Sequence, residues 1–323
     1  MLKRPRRLRY SAALREAVRE TRISASSLIY PVFVREGRNI RAEIASMPGQ
    51  YHWSPDTLPA LYDSLLERGV NRIILFGVPE KKDEAGSGAY SPDGIVQQAL
   101  RVTKQRYAEV YCTADLCLCE YTSHGHCGVL RDGDVDNDAT LDVLARVAVS
   151  QAAAGADMIA PSDMMDGRVR AIRLALDAQG FERIPIMAYS AKYASAFYGP
   201  FRVAAASAPA SGDRKSYQMD WHNKKEALKE VLADIEEGAD IVMVKPALSY
   251  LDVIQTVSQA VAVPVAAYSV SGEYSMIKAA SRLMDEAAVV CETAAAIFRA
   301  GAGLLITYFA PELADYIKQG RIG

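Results

Sequence analysis

Two kinds of apolar pattern alternate along the chain. Short, near-continuous runs rich in β-branched and aromatic residues fall at 28–34, 72–78, 109–115, 157–161, 184–189, 240–245, 263–268 and 303–308. Such runs predict strands buried on both faces, as parallel strands covered by helices are. Between them lie longer stretches with apolar positions at helical spacing, for example 58–68, 141–154, 224–237 and 251–260. Several end on glycine followed by alanine or valine, at Gly69, Gly155, Gly238 and Gly301. A left-handed residue just past a helix turns the chain back toward a strand. Eight such units predict an α/β fold, a (β/α)8 TIM barrel, with a doubly wound open sheet as the alternative.

Two segments stand outside this rhythm. Residues 1–25 fit no unit and carry Arg4, Arg6, Arg7 and Arg9. They predict an extended N-terminal arm beside a single barrel domain over 26–323, packing on another subunit rather than on nucleic acid. The stretch at about 195–221 is too long for an ordinary connection and follows the fifth predicted strand. A long loop there predicts an active-site lid.

Composition narrows the class. A chain of 323 residues is within the size of one such barrel. Lysine and arginine number 37 against 39 acidic residues, a net charge of -2, without the basic excess of a nucleic-acid binder. No apolar run approaches the ~18 residues of a membrane span, and the basic start lacks the apolar core of a signal peptide. Five cysteines, three of them crowded between 117 and 127, suit a reduced, cytoplasmic protein with a metal site better than a disulfide framework.

Function in a TIM barrel gathers at the C-terminal ends of the strands. Those ends here include Asp115, Ser162 and Asp163, Tyr189 and Ser190, Lys245, Tyr268 and Ser269, and Tyr308. Lys245 closes a very apolar run, and Lys192 sits in the loop ending the preceding strand, so both amines are expected near one cavity. Burial and a like-charged neighbour each favour the free amine, which attacks carbonyls; either lysine alone reads equally as a solvated strand-end charge. Cys117 and Cys119 are two apart, so both thiols face one way in extended backbone. Cys127 completes three thiolates, with His124 and His126 nearby. Three protein ligands leave one position of a metal open, the catalytic arrangement, although buried free cysteines beside loop histidines would give the same pattern. Cys112 and Cys291 lie within apolar patterns and read as core thiols. The lid carries Arg202, Arg214 and Lys215, which suit a carboxylate or phosphate substrate as well as ordinary loop charge. Residues 162–167 read as the capped start of a helix.

Several phrases resemble the porphobilinogen synthase (5-aminolevulinate dehydratase) family. They include Asp115-Leu-Cys-Leu-Cys-Glu-Tyr-Thr-Ser-His-Gly-His-Cys127, Tyr189-Ser-Ala-Lys-Tyr-Ala-Ser195, Phe197-Tyr-Gly-Pro-Phe-Arg202, Val242-Met-Val-Lys-Pro246 and Tyr268-Ser-Val-Ser-Gly-Glu-Tyr274. The resemblance spans nearly the whole chain, in order. It implies a TIM barrel that condenses two molecules of 5-aminolevulinate into the pyrrole porphobilinogen. Lys245 and Lys192 would each form a Schiff base. Arg202 and Arg214, with Lys215 nearby, would hold one substrate carboxylate, and Ser271 and Tyr308 the other. Cys117, Cys119 and Cys127 would bind zinc, as in the three-cysteine branch. Glu230 matches a position that anchors an activating magnesium in many bacterial and plant members, though a helix rich in Glu and Lys carries such residues routinely. An additional zinc site of some animal members uses a histidine matching His126 and a lid cysteine; the lid residue here is Ser216, so that site is expected to be absent. The family's homo-octamers of arm-embracing dimers give residues 1–25 a role. Two other readings remain at this point: a class I aldolase or lyase, which needs one lysine and no zinc, and a non-catalytic zinc-dependent binding protein.

Overall fold

A computed structural model describes residues 3–323; Met1 and Leu2, the tip of the expected arm, lie outside the described residues. Every predicted apolar run becomes a strand: β1 (Leu28–Arg35), β2 (Arg72–Val78), β3 (Tyr111–Leu116), β4 (Met158–Pro161), β5 (Met187–Lys192), β6 (Ile241–Lys245), β7 (Val265–Ser269) and β8 (Leu304–Thr307). Neighbours pair in parallel around a circle from β4 through β1 and β8 to β5. The circle closes at a parallel bridge between Ile159 and Ile186, where the Ile159 N–H donates to the Pro185 carbonyl at 3.1 Å. Closure rules out the open sheet. Inside, side chains such as Ile74, Met187, Met243 and Ala266 are wholly buried. Each Ile or Met of that kind contributes roughly 1.5–3 kcal/mol.

The helices follow the patterning closely. Leu58–Arg68 and Leu251–Ala260 match the expectation to the residue. Asn137–Ala153 begins four residues earlier than its apolar pattern, because Asp136 Oδ1 accepts the Ala139 N–H at 3.0 Å and caps a polar first turn. The glycines past four helices all have positive φ: 84° at Gly69, 106° at Gly155, 108° at Gly238 and 115° at Gly301.

Two details depart from the sequence reading. Lys192 is the last residue of β5 rather than part of the loop after it. The ladder to β6 shows an irregularity between Val242 and Val244, then continues through Ala191 and Lys192. A small hairpin was also not anticipated: Arg41–Glu43 pairs antiparallel with Tyr51–Trp53, which lies parallel to β1 with His52 opposite Phe33. Three-residue strands carry too little periodicity to register in sequence.

The arm holds a short turn of helix, Pro5–Arg9, and the helix Ala12–Ala17, neither with a buried residue. Leu8, Tyr10 and Val18 are exposed on it. Among the described residues no helix is long and apolar enough to cross a membrane.

Candidate active site

In the β5–β6 ladder Lys192 lies directly opposite Lys245. Paired residues of parallel strands point to the same face, so the two side chains enter one space. Both are about 5% exposed. The Lys245 Nζ stands 4.3 Å from the centre of the Tyr268 ring, 4.9 Å from Tyr189, 5.2 Å from Tyr198 and 5.3 Å from Phe201. Ring faces attract a cation, but desolvation outweighs them. Burial, then the neighbouring Lys192, pushes the Lys245 pKa down to about 7, with Asp115 and Glu120 opposing. Lys192 Nζ donates to the Ser162 carbonyl.

Asp115, at the end of β3, completes this pocket. Ser162 donates to its Oδ2 at 3.1 Å, while Oδ1 has no partner. Burial, then Glu120, raises its carboxyl to about 7 against the pull of both lysines. The buried Glu120 is raised for the same first reason, with Cys127 adding. Buried acids and amines whose proton affinities converge near neutrality exchange protons at little cost. Residues 162–167 prove not to be a helix cap: the helix Arg168–Ala178 starts after Gly167, which offers no side chain. Asp163 instead accepts the Met165 N–H at 2.8 Å and faces Arg168 at 3.7 Å. Arg168 binds both oxygens of Asp234 at 3.1 Å and the Tyr189 carbonyl at 3.2 Å. This buried network fixes the β4 end on which Lys192 rests; breaking one such pair costs about 3–5 kcal/mol.

Next to the amines the chain loops back on itself. The Tyr121 and Thr122 N–H groups both donate to the Leu118 carbonyl at 2.8 Å, and Thr122 Oγ1 to the His126 carbonyl at 3.0 Å. The turn brings Cys127 to Cys117 and Cys119, all three buried, with sulfurs within 4.8 Å of one another. A tetrahedral ion with sulfurs at ~2.3 Å would hold them about 3.8 Å apart, so the cluster can hold a metal ion without rearranging its loop. Hydrogen bonds from Cys117 and Cys119 hold the Cys127 thiol well below its usual range. The His126 ring nitrogens face the Tyr217 hydroxyl and the Ser211 carbonyl, each at 3.0 Å. Among the described residues no other His, Cys, Asp or Glu joins the three sulfurs. Of the two remaining cysteines, Cys112 is buried in the core and Cys291 half-buried.

The lid crosses above. Its helix Gly199–Ala204 carries Arg202, half-buried with an unpartnered Nε. Arg214 is 5% exposed and donates to the carbonyls of Gly125, at 2.7 Å, and Ser207. Burial opposes its charge, but the facing Cys127, Cys119 and Cys117 outweigh that and keep the guanidinium protonated. Ser271 accepts the Phe201 N–H at 2.9 Å and donates to the Phe197 carbonyl at 3.3 Å, so its hydroxyl ties down the start of the lid. Tyr308 is buried, its hydroxyl 3.1 Å from that of Tyr268.

Two of the sequence candidates lie elsewhere. Lys215 is exposed, pairs with Asp213 at 3.6 Å, and lines an outer cavity of about 590 Å³ together with Glu230, Asp166, Asp220 and Glu226. Burial, then Asp166 and Asp234, raises the Glu230 carboxyl. Glu120 and the lid aromatics Tyr198 and Phe201 were not singled out from sequence as pocket residues. An acid inside a cysteine-rich apolar stretch was the available signal for the first; the rings converge only in three dimensions.

Fold and site together define a TIM-barrel enzyme whose chemistry sits at the C-terminal strand ends. The family model for delta-aminolevulinic acid dehydratase matches residues 2–316. The chain is 56% identical over 321 residues to the delta-aminolevulinic acid dehydratase of Halalkalibacterium halodurans, covering 99% of this chain and 98% of that one. To the Staphylococcus aureus protein of the same name it is 52% identical over 320 residues, covering 98% and 99%. A crystal structure of the Toxoplasma gondii delta-aminolevulinic acid dehydratase (porphobilinogen synthase), in complex with the product porphobilinogen, matches with a TM-score of 0.95 at 43% identity, covering 98% of this chain and 92% of that one. The chain belongs to the delta-aminolevulinic acid dehydratase family.

The seat of the lid depends on Gly272, where an added Cβ would lie 2.5 Å from the Phe197 carbonyl oxygen and 2.7 Å from its Cα. Gly272→Ala is therefore expected to displace the lid, costing about 1–3 kcal/mol in a denaturant melt and raising KM for 5-aminolevulinate. An unchanged melt and KM would show that the contact relaxes freely.

Proposed function

We propose that this chain condenses two molecules of 5-aminolevulinate into porphobilinogen with release of two waters, in the pocket around Lys192 and Lys245. The observation that carries this reading is the pairing of the two buried lysines across β5 and β6, beside the three-cysteine cluster. A free Lys245 amine attacks the ketone of one substrate; loss of water leaves a Schiff base, which draws electrons from the adjacent carbon and lets it lose a proton. Lys192 forms the second Schiff base. Arg202 and Arg214 hold the carboxylate of the first substrate; Lys215, exposed at the outer cavity and paired with Asp213, takes no part in that role. Ser271 and Tyr308 hold the carboxylate of the second, the Ser271 hydroxyl exchanging its lid contacts for that role. Asp115, with its raised proton affinity, is placed to take and return protons. The rings around Lys245 exclude water, which would otherwise hydrolyse the Schiff base.

Cys117, Cys119 and Cys127 would hold zinc, since three soft thiolates match that ion. When bound, it supplies Lewis-acid chemistry for the second substrate. Glu230, in its cavity with Asp166, is the candidate anchor for an activating magnesium away from the lysines. Residues 1–25 form the arm of a homo-octamer of embracing dimers, which would cover the exposed Leu8, Tyr10 and Val18. Free cysteines suit a reducing cytoplasm.

Three measurements test these roles. Borohydride with 5-aminolevulinate should trap substrate on Lys245. Because the free amine is the reactive form and the Lys245 pKa lies near 7, the trapping rate should rise with pH below about 7 and level off above it. Lys192→Met removes a like charge, so the rise should move to higher pH, and turnover should be lost, whereas a one-lysine aldolase would keep it. An adduct mapped only to other peptides would sink the assignment. Cys127→Ser should lose most bound zinc and most turnover while keeping a folded barrel and residual trapping at Lys245. Full turnover in demonstrably zinc-free protein would remove the cluster from the chemistry. Deleting the arm before Ser24 should lower both the mass in solution and the activity; an unchanged mass would refute the arm's role in assembly.

A further inference from the structure

We propose that His52 and Lys82 are positioning residues that latch the lid over the amine pocket by capping carbonyls at the C-terminal end of the lid helix. The last turn of any helix leaves carbonyls without partners inside the helix. Here the Phe201, Arg202 and Val203 carbonyls accept from the Ala205, Ser207 and Ala206 amides, while the carbonyls of Ala204, which ends the helix, and Ala206, two residues past it, are met from outside. His52 Nε2 lies 2.6 Å from the Ala204 carbonyl and Lys82 Nζ 2.6 Å from that of Ala206. A carbonyl only accepts, so the His52 proton sits on Nε2. The cation of Lys82 also faces the negative end of the helix dipole. The two donors come from different parts of the barrel rim, neither bearing a reactive lysine or a metal-binding cysteine. His52 is on the short strand Tyr51–Trp53, and Lys82 is in the loop after β2.

A second, independent observation marks the same turn. Ala206 has φ 47°, a left-handed conformation that helices ordinarily give to glycine or asparagine at this position. An alanine holds that shape only where its surroundings over-determine it, and the Lys82 hydrogen bond falls on this residue. Packing supports the latch as well. The His52 ring meets Phe33 edge-on at 6.0 Å, and Phe33 lies 5.5 Å from Phe201, the residue preceding Arg202 on the lid. From the same hairpin region Ser46 Oγ donates to the Pro200 carbonyl at 3.1 Å. The latch therefore fixes both the height and the rotation of the turn that carries Arg202. Its effect on catalysis rests on the reading that Arg202 and Arg214 hold a substrate carboxylate.

The test uses the full chain with Lys82→Met and His52→Phe, which remove the donors, and with Lys82→Arg and His52→Gln, which restore them. The Ala205, Ala206 and Ser207 amides bond to the carbonyls of Phe201, Val203 and Arg202, so hydrogen exchange at these three positions reports the last turn of the lid directly. The donor-less variants should exchange faster there, without faster exchange in the barrel strands. They should also raise KM for 5-aminolevulinate by about five- to tenfold with kcat within about twofold, as expected for lost substrate positioning. The restoring variants should recover both. Unchanged exchange at 205–207, or a general loss of protection across the barrel, would overturn the latch. Faster lid exchange with unchanged KM would overturn its role in substrate binding. If Arg202→Ala and Arg214→Ala also leave KM unchanged, it is the carboxylate-binding reading that has failed.

Discussion

The site depends on holding two lysine side chains opposite each other at the ends of adjacent strands, out of water. Two buried ammonium groups within reach of one another repel by an amount of the order of several kcal/mol. The barrel relieves that in three ways. Lys245 gives up part of its proton affinity. Asp115 and Glu120 add compensating negative charge from the β3 side, although burial raises both carboxyls. Ring faces replace some of the hydration that Lys245 has lost. A polar, open pocket would have left Lys245 protonated and unreactive.

The same constraint explains the lid. Under the proposed condensation, a Schiff base at either lysine stays intact only where water is scarce. Both amines sit at the C-terminal ends of β5 and β6, so a segment of chain has to cover that face. That segment touches the rim at places where side chains are missing or donors are supplied. Gly272 lets the Phe197 backbone approach, and at Gly125 a Cβ would lie 2.3 Å from the Ala208 carbonyl oxygen. The second approach sets the lid against the loop that carries the cysteines, and Arg214 joins the two by bonding Gly125 and Ser207 together. The cysteine loop and the arginine-bearing lid are thus one packed unit.

Much of this was legible in sequence because buried parallel strands write long apolar runs, and because a lysine ending such a run has nowhere polar to lie. Cys117 and Cys119 were grouped in sequence by an extended two-residue period, whereas both lie past the end of β3 in the turn at Leu118, which is what brings their sulfurs together. What stayed hidden depends on relations between distant segments. The ladder irregularity between Val242 and Val244 determines that Lys192 ends β5 opposite Lys245, and no local pattern encodes it. The aromatic cage draws Tyr189, Tyr198, Phe201 and Tyr268 from two strands and the lid. Lys215 differs from Arg214 by one position, yet one is exposed at an outer cavity and the other is buried against the cysteines. Loop side-chain direction follows from backbone turns, not from residue type. The hairpin that presents His52 is too short to show a period.

Joining two identical molecules into an unsymmetrical ring requires that the two amines be unlike, and their surroundings make them so. Lys245 lies among four ring faces, at 4.3–5.3 Å. Lys192 has one ring at 5.7 Å and a backbone carbonyl as acceptor. The first environment favours a neutral amine ready to attack before anything else is bound. The second keeps its amine hydrogen-bonded to the Ser162 carbonyl, a contact it must give up before it can attack. Under the proposed condensation the order of events then follows from position: the amine in the aromatic cage reacts first, and the one held on the Ser162 carbonyl waits for the second molecule. One lysine repeated in two equivalent settings could not make that distinction, however reactive it was.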